Sequence, residues 1–263
     1  MTALPDGTHV PLCLTPDRQE QMKKLHWSLL KRLYRLRSRF GVYARLNRKW
    51  LLDNRNWIDQ QLIIRRPYEV SQLARCRQLI RDHQLQYFFD IGANFGLYSM
   101  LLSDERELKH IHAFEPLPRN AHQFGANLYL NDLDNRVRLH NCALSNRSGQ
   151  IDLFVDPNST GVSTLLQAEN RSRQEAYKTS IQVESRVLDE DFSFNGIRAL
   201  VKMDVEGAEL MVLNGMSQFL LNNLVVLQVE TTTQTLEQVD AFMAQAGYHS
   251  LGRLGADSYY GNI

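Results

Sequence analysis

Tyr87-Phe88-Phe89-Asp90-Ile91-Gly92-Ala93-Asn94-Phe95-Gly96 decides how this chain folds. An apolar run without polar alternation, of the kind buried on both faces of a parallel sheet, stops on a carboxylate and turns through two glycines. Glycines directly after a strand let backbone approach a ligand and leave the first N–H groups of the next helix free to point at it. Asn94 stands where a third glycine would complete a Gly-x-Gly-x-Gly turn, and asparagine tolerates left-handed backbone better than other residues with a Cβ. The stretch reads as a strand over 87–91, a nucleotide-handling turn, and a helix over about 95–103.

On its C-terminal side the pattern keeps alternating, with a strand at about 110–114, a helix at about 118–130 and a strand at about 136–141. Such βαβ alternation implies an α/β fold with a doubly wound parallel sheet. Ile111-His112-Ala113-Phe114 ends at Glu115-Pro116, 25 residues past Asp90. A carboxylate at that strand end is placed to accept hydrogen bonds from both hydroxyls of an adenosine ribose. A further strand is expected at 150–155, and the polar stretch 156–180 reads as a loop or short helix, either a lid or a surface excursion.

Two later stretches end on acids in the same way. In Val201-Lys202-Met203-Asp204-Val205-Glu206-Gly207-Ala208-Glu209, the residues Lys202, Asp204 and Glu206 alternate, as they would along an extended chain with one face toward a site. Leu224-Val225-Val226-Leu227-Gln228-Val229-Glu230 is an apolar strand closing on an acid. Clustered half-buried carboxylates are costly unless they bind something. The tail from Leu251 to Ile263 suits a final strand pair.

Upstream, residues 69–84 place Val70, Leu73, Cys76, Leu79 and Ile80 on one side of a helix. Residues 1–65 read as a basic helical extension to a domain over 66–263. A helix over 17–40 with Leu25, Leu29, Leu33, Leu36 and Phe40 as its apolar stripe is expected, then a second over about 43–52. Residues 1–81 carry 17 Lys and Arg against 6 Asp and Glu, a net +11, whereas 82–263 carry 13 against 23, a net −10. The extension therefore suits an anionic membrane leaflet, a phosphate-bearing carrier or nucleic acid, or else packs on an acidic domain or a second subunit to form a homo-oligomer.

The chain has 263 residues, 43% of them hydrophobic and 22% charged, ordinary for a globular protein. No run approaches the roughly 18 apolar residues of a membrane span, and Met1-Thr2-Ala3-Leu4-Pro5 lacks the charged and apolar blocks of a signal peptide. A cytoplasmic protein, at most peripheral to the inner face of the membrane, is expected. Cys13, Cys76 and Cys142 lack metal-ligand spacing, so no zinc site is signalled.

Taken together, Asp90 to Gly96, Phe114-Glu115-Pro116, Ala143-Leu144-Ser145 with Gly149, Leu188-Asp189, Lys202 to Glu209 with Leu213-Asn214-Gly215, and Val229-Glu230 resemble the FkbM family of class I S-adenosylmethionine-dependent methyltransferases. The resemblance covers about residues 85–250. It implies a Rossmann-like, mostly parallel sheet of seven strands with one antiparallel member, S-adenosylmethionine as cofactor, and O-methylation of hydroxyls on saccharides, glycolipids or similar small molecules. The residues argue the same way. A dinucleotide turn normally offers three glycines to a pyrophosphate, whereas an acid followed by two glycines suits a sulfonium and an α-amino group.

In this reading Asp90, Gly92, Asn94 and Gly96 hold the methionine part, Glu115 the ribose, and Asn141, Cys142 and Ala143 the adenine edge. Asp204 and Glu206 face the acceptor, with Glu230 a further candidate base and Lys202 either steering the acids or binding an acceptor anion. Asp204 touches cofactor and acceptor alike. Three acids within a few residues, Asp204, Glu206 and Glu209, could also hold a divalent ion. His112, His140 and His249 fall in no motif and are expected to be structural. Two other classes stay open, an RNA methyltransferase and a non-catalytic cofactor-binding partner in an assembly.

Overall fold

A computed structural model describes residues 16–35, 38–155 and 179–263, leaving aside the side chains of 16–23, 33 and 35. The first fifteen residues of the expected extension and most of the expected 156–180 loop lie outside the described residues. The central sheet has seven strands. In chain order these are β3 (Tyr87–Ile91), β4 (His110–Phe114), β5 (Val137–His140), β9 (Arg198–Met203), β10 (Leu224–Glu230), β11 (His249–Leu254) and β12 (Asp257–Gly261). Their spatial order is β11-β12-β10-β9-β3-β4-β5. All pairs from β10 to β5 are parallel, and β12 is inserted antiparallel between β10 and β11.

Because successive residues of a strand face opposite sides, the sheet carries two cores. Phe88, Leu200 and Val226 pack with Cys76, Leu79 and Ile80 of the helix α3 (Val70–Asp82) on one face. Phe89, Ile91, Val201, Met203, Leu227 and Val229 pack on the other. There they meet Val212 and Leu213 of a helix over Glu209–Asn214, Phe219 and Leu220 of one over Ser217–Asn222, and Val239 and Met243 of one over Leu236–Gln245. The register sets Asp90 opposite Lys202 and Lys202 opposite Gln228, so three polar side chains form a row near the carboxyl edge of an otherwise apolar face.

The N-terminal part departs from expectation. The first helix, α1 (Pro16–Arg35), ends before Phe40, which instead begins a strand. Its packing residues are Trp27, Leu30 and Tyr34, while Leu25 and Leu29 are exposed at 63% and 51%. Residues 43–52 are not helical. They belong to an antiparallel hairpin of β1 (Phe40–Arg45) and β2 (Arg48–Asp53). Leu46 and Asn47, with φ of 50° and 58°, make the two-residue turn with two left-handed positions that matches strand twist. Every second residue of β1 is exposed, and aromatic and β-branched residues favour that pleated surface over a helix.

The hairpin is fastened to the body of the protein. Trp50 and Leu52 are fully buried in the same core as Phe95 and Phe124. Helix α5 (Pro118–Tyr129) and Asn131, two residues past its end, lace the free edge of β2 with side chains. Asn127 accepts from the Leu51 N–H at 2.6 Å, Gln123 donates to the Leu51 carbonyl at 2.9 Å, and Asn131 accepts from the Lys49 N–H at 2.9 Å. Between β2 and α3, α2 (Trp57–Ile63) is capped by Asn56, whose side chain accepts from the Ile58 N–H.

A second, three-stranded sheet was not anticipated. It pairs β6 (Ala143–Leu144) and β7 (Gly149–Val155) with β8 (Thr179–Arg186), and its apolar side closes on Leu117.

Candidate active site at the carboxyl edge of the sheet

The turn after β3 is shaped by close packing. Gly92 has φ of 79°, and a Cβ there would lie 1.8 Å from the carbonyl oxygen of Asp204. Gly96, with φ of 93°, would drive a Cβ to 2.1 Å from the Phe124 ring. Both glycines are therefore required by neighbouring protein, and Gly92 locks the turn onto the end of β9. Asn94 adopts the expected left-handed conformation, φ 52°.

Around this turn lie two adjoining pockets that share Gly92, Asn94 and Asp204. The first is walled by Phe114, Glu115, Pro116, Cys142, Ala143, Leu144 and Leu153, with Val205 and Glu206 at its side. Its apolar walls suit a flat base, and Glu115 is its buried acid. Glu115 accepts from the backbone N–H of Asn94 at 2.7 Å and of Leu117 at 2.9 Å. Burial pushes the Glu115 carboxyl up to about 7, against the pull of those hydrogen bonds. An ionised carboxylate has about four acceptor sites, so further donors from a ligand would be favourable there.

The second pocket is lined by Ile58, Tyr68, Glu69, Tyr98, Lys202, Glu230 and Asp257. Lys202 Nζ lies 3.1 Å from Asp204 Oδ2 and 5.1 Å from the centre of the Tyr98 ring. Burial opposes its charge, but Asp204, Asp90 and Glu230 outweigh that, and its pKa is raised. Repulsion from Asp204, followed by burial, pushes Glu230 up to about 8. Glu230, beside Asp204, thus keeps its proton to near neutral pH.

Behind this pocket, Gln228 donates to Tyr98 at 3.1 Å and to Asp257 at 2.8 Å, while Tyr98 donates to Glu69 at 2.7 Å. Glu69 stands in left-handed backbone, φ 55°, at the start of α3. Such strain persists where surroundings over-determine it and concentrates at functional sites.

Of the residues singled out from sequence, the structure brings Gly92, Asn94, Glu115, Cys142, Ala143, Asp204 and Glu206 to the first pocket, and Lys202, Asp204 and Glu230 to the second. Asp90, Gly96 and Asn141 line neither. Asp90 is buried, accepts from both the N–H and the hydroxyl of Ser99, and keeps one oxygen without a hydrogen-bond partner. Its pKa is raised, chiefly by burial and against the field of Lys202. Asn141 donates to the carbonyls of Glu115 and Pro116, tying the end of β5 to the first pocket.

The expected extended run over Lys202, Asp204 and Glu206 ends early. β9 stops at Met203 and Glu206 is left-handed at φ 50°, because the chain must turn before the helix at Glu209. Glu209 folds back to accept from the Gly207 N–H at 2.8 Å, and among the described residues no three His, Cys, Asp or Glu side chains group as ion ligands. His112 and His140 stack in an aromatic cluster with Phe89, Phe114 and Phe192, and burial lowers both to about 4.

Sequence reasoning missed Tyr68, Glu69, Tyr98 and Asp257. Tyr98 alone carried a signal, lying in the first turn of the helix after the glycines, α4 (Leu97–Leu102).

A sequence model of the methyltransferase FkbM domain matches residues 90–250. "Methyltransferase sdnD" of Sordaria araneosa is 30% identical over 190 residues, 62% of this chain and 73% of its own length. "Methyltransferase 1" of Beauveria bassiana is 27% identical over 207 residues, 71% of this chain and 77% of its own. Among solved structures, an FkbM methyltransferase from Methylobacillus flagellatus aligns at a TM-score of 0.46 with 13% identity, covering 68% of this chain and 44% of that one. TYW2 of M. jannaschii, solved in complex with AdoMet, aligns at 0.43 with 12% identity over 86% of this chain and 84% of its own.

Proposed function

The chain belongs to the FkbM methyltransferase family, and we propose that it is an S-adenosylmethionine-dependent O-methyltransferase acting on a hydroxyl of a saccharide, glycolipid or similar small molecule. The observation that carries this reading is the joining of two chemically different pockets at Gly92, Asn94 and Asp204. One offers an apolar slot with a buried acid, as a nucleoside needs. The other is acidic around a single lysine, as ammonium and sulfonium groups need. Bound there, the cofactor would supply a methyl group on sulfur, open to in-line displacement by an oxygen.

The donor set fits that ligand. Glu115 would accept from the ribose hydroxyls, with Cys142 and Ala143 along the adenine. The backbone at Gly92 and Asn94, with Asp204, would hold the methionine end. Asp90, Gly96 and Asn141 act through others in this reading, as positioning residues. Asp90 braces Ser99 and balances Lys202, Gly96 admits Phe124, and Asn141 fixes the strand end beside Glu115.

For transfer to an alcohol, alignment and removal of the hydroxyl proton are the needs. Glu230, held near neutral titration by Asp204, is our choice of base. Lys202 is buried and paired to Asp204, which makes it an orienting partner of the acids. Glu206 borders the nucleoside pocket and the acceptor approach.

Incubation with methyl-labelled S-adenosylmethionine and a glycolipid and saccharide extract tests the reading. Label should enter a product stable to mild alkali, as an ether is, and Asp204→Asn should abolish it. Label recovered in RNA, or in an alkali-labile ester, would contradict it.

A further inference from the structure

Residues 24–68 carry twelve Lys and Arg and only two acids, Asp53 and Asp59. Both acids are buried, at 0% and 1% exposure, so the charges that this segment itself exposes are cations, while Arg48 pairs with the exposed Asp104 of the body. The same part holds most of the large apolar side chains that the described protein leaves in water: Leu25, Leu29, Phe40, Val42, Leu46 and Trp57. On the hairpin they have a common cause. Trp50, Leu52 and Tyr43 take the inner face of β1–β2, which leaves Phe40, Val42 and Ala44 on the outer one, with Leu46 at the turn. Arg39 lies over the Phe40 ring and Lys49, opposite Ala44, is exposed.

From this we infer that the outer face of the β1–β2 hairpin is a docking surface for an anionic lipid bilayer. Aliphatic side chains ringed by lysine and arginine gain on such a surface twice, from burial among acyl chains and from attraction to acidic headgroups. A second copy of the chain fits less well. Hairpin against hairpin would oppose cations to cations. The acidic body over 82–263 has only Tyr129 and Leu221 as large exposed hydrophobics among its described residues, so it offers no matching apolar face. Nucleic acid would call for stacking rings, and four of these six side chains are aliphatic. The hairpin is also rigidly carried, since α5 laces its edge and Arg45 donates to the carbonyls of Leu62 and Ile63 at the end of α2. Because α2 also carries Ile58 of the second pocket, docking would set that pocket, where the methyl group and Glu230 meet the acceptor, beside the bilayer. That last consequence rests on the function proposed above; the docking itself does not.

Sedimentation of the full chain with phosphatidylcholine vesicles, with and without phosphatidylserine, tests the inference. Binding should appear with phosphatidylserine, fall as salt is raised, and weaken at least about tenfold in Val42→Asp/Leu46→Asp. That variant should keep its circular dichroism spectrum and its affinity for S-adenosylhomocysteine, which separates loss of docking from loss of fold and from failure of the cofactor reading. Equal binding to neutral vesicles, or none to acidic ones, would overturn it. So would a larger species in solution that the double variant dissolves, or RNA binding in place of vesicle binding.

Discussion

Glu230 ends β10 beside Asp204, which follows β9 and pairs with Lys202, and this arrangement makes the chemistry of Glu230 depend on pH. A carboxyl raised to about 8 is protonated below that value and a base above it. Transfer should therefore rise with pH and level off above about 8. Glu230→Gln should lower the rate by roughly a hundredfold or more and flatten the profile, read from label incorporation across pH. Lys202→Met leaves Asp90 and Asp204 without their shared cation, and loss of one partner from a buried pair costs about 3–5 kcal/mol, visible as a lower denaturation midpoint. Gly92→Ala meets both the Asp204 carbonyl and an unfavourable φ, so a loss of at least about 2 kcal/mol is expected in the same assay. At this scale Glu115, Asp204 and Glu230 were readable, because each is an acid ending an apolar run. Glu69 and Asp257 were not. They reach the pocket through the fold of α3 and β12, and nothing in their local sequence marks them.

The elements show why strand ends were easier to read than the N-terminal region. β3, β4 and β10 are mainly apolar runs bounded by acids or glycine, and a buried parallel strand has little other sequence to adopt. The hairpin reads as helix in the sequence because Arg45, Arg48 and Leu52, at three- and four-residue steps, suit a helical face as well as a strand. What decides between them is tertiary: Gln123, Asn127 and Asn131 on or just after α5 complete the edge of β2, and such long-range partners carry no local signature. The small sheet escaped for the same reason, since β6 has two residues and pairs with a strand some forty positions later. The hairpin's place in the core can be checked directly. Trp50 is fully buried, so Trp50→Ala should cost about 3–5 kcal/mol in chemical denaturation. A change no larger than for an exposed residue would show that the hairpin folds apart from the sheet.

Across the whole molecule, buried acids set the balance of charge and stability. Asp59 and Glu115 titrate at about 7 and Glu230 at about 8, all above the usual carboxyl range, chiefly through burial for the first two and through Asp204 for the third. The folded chain therefore binds more protons than the unfolded one as these groups ionise, and stability must fall as pH rises. His112 and His140, lowered to about 4, act in the opposite sense, but only up to about pH 6.5 where the unfolded imidazoles lose their protons. The melting temperature should accordingly decline between about pH 6.5 and 8. A ligand that donates to Glu115 and places a cation among the second pocket's acids should raise it again at pH 8. Calorimetric titration with S-adenosylhomocysteine, on the wild type and on Glu115→Ala, tests the central claim most directly. The account predicts one site per chain, weakened roughly ten- to hundredfold by the substitution; no binding to the wild type, or undiminished binding to Glu115→Ala, would contradict it.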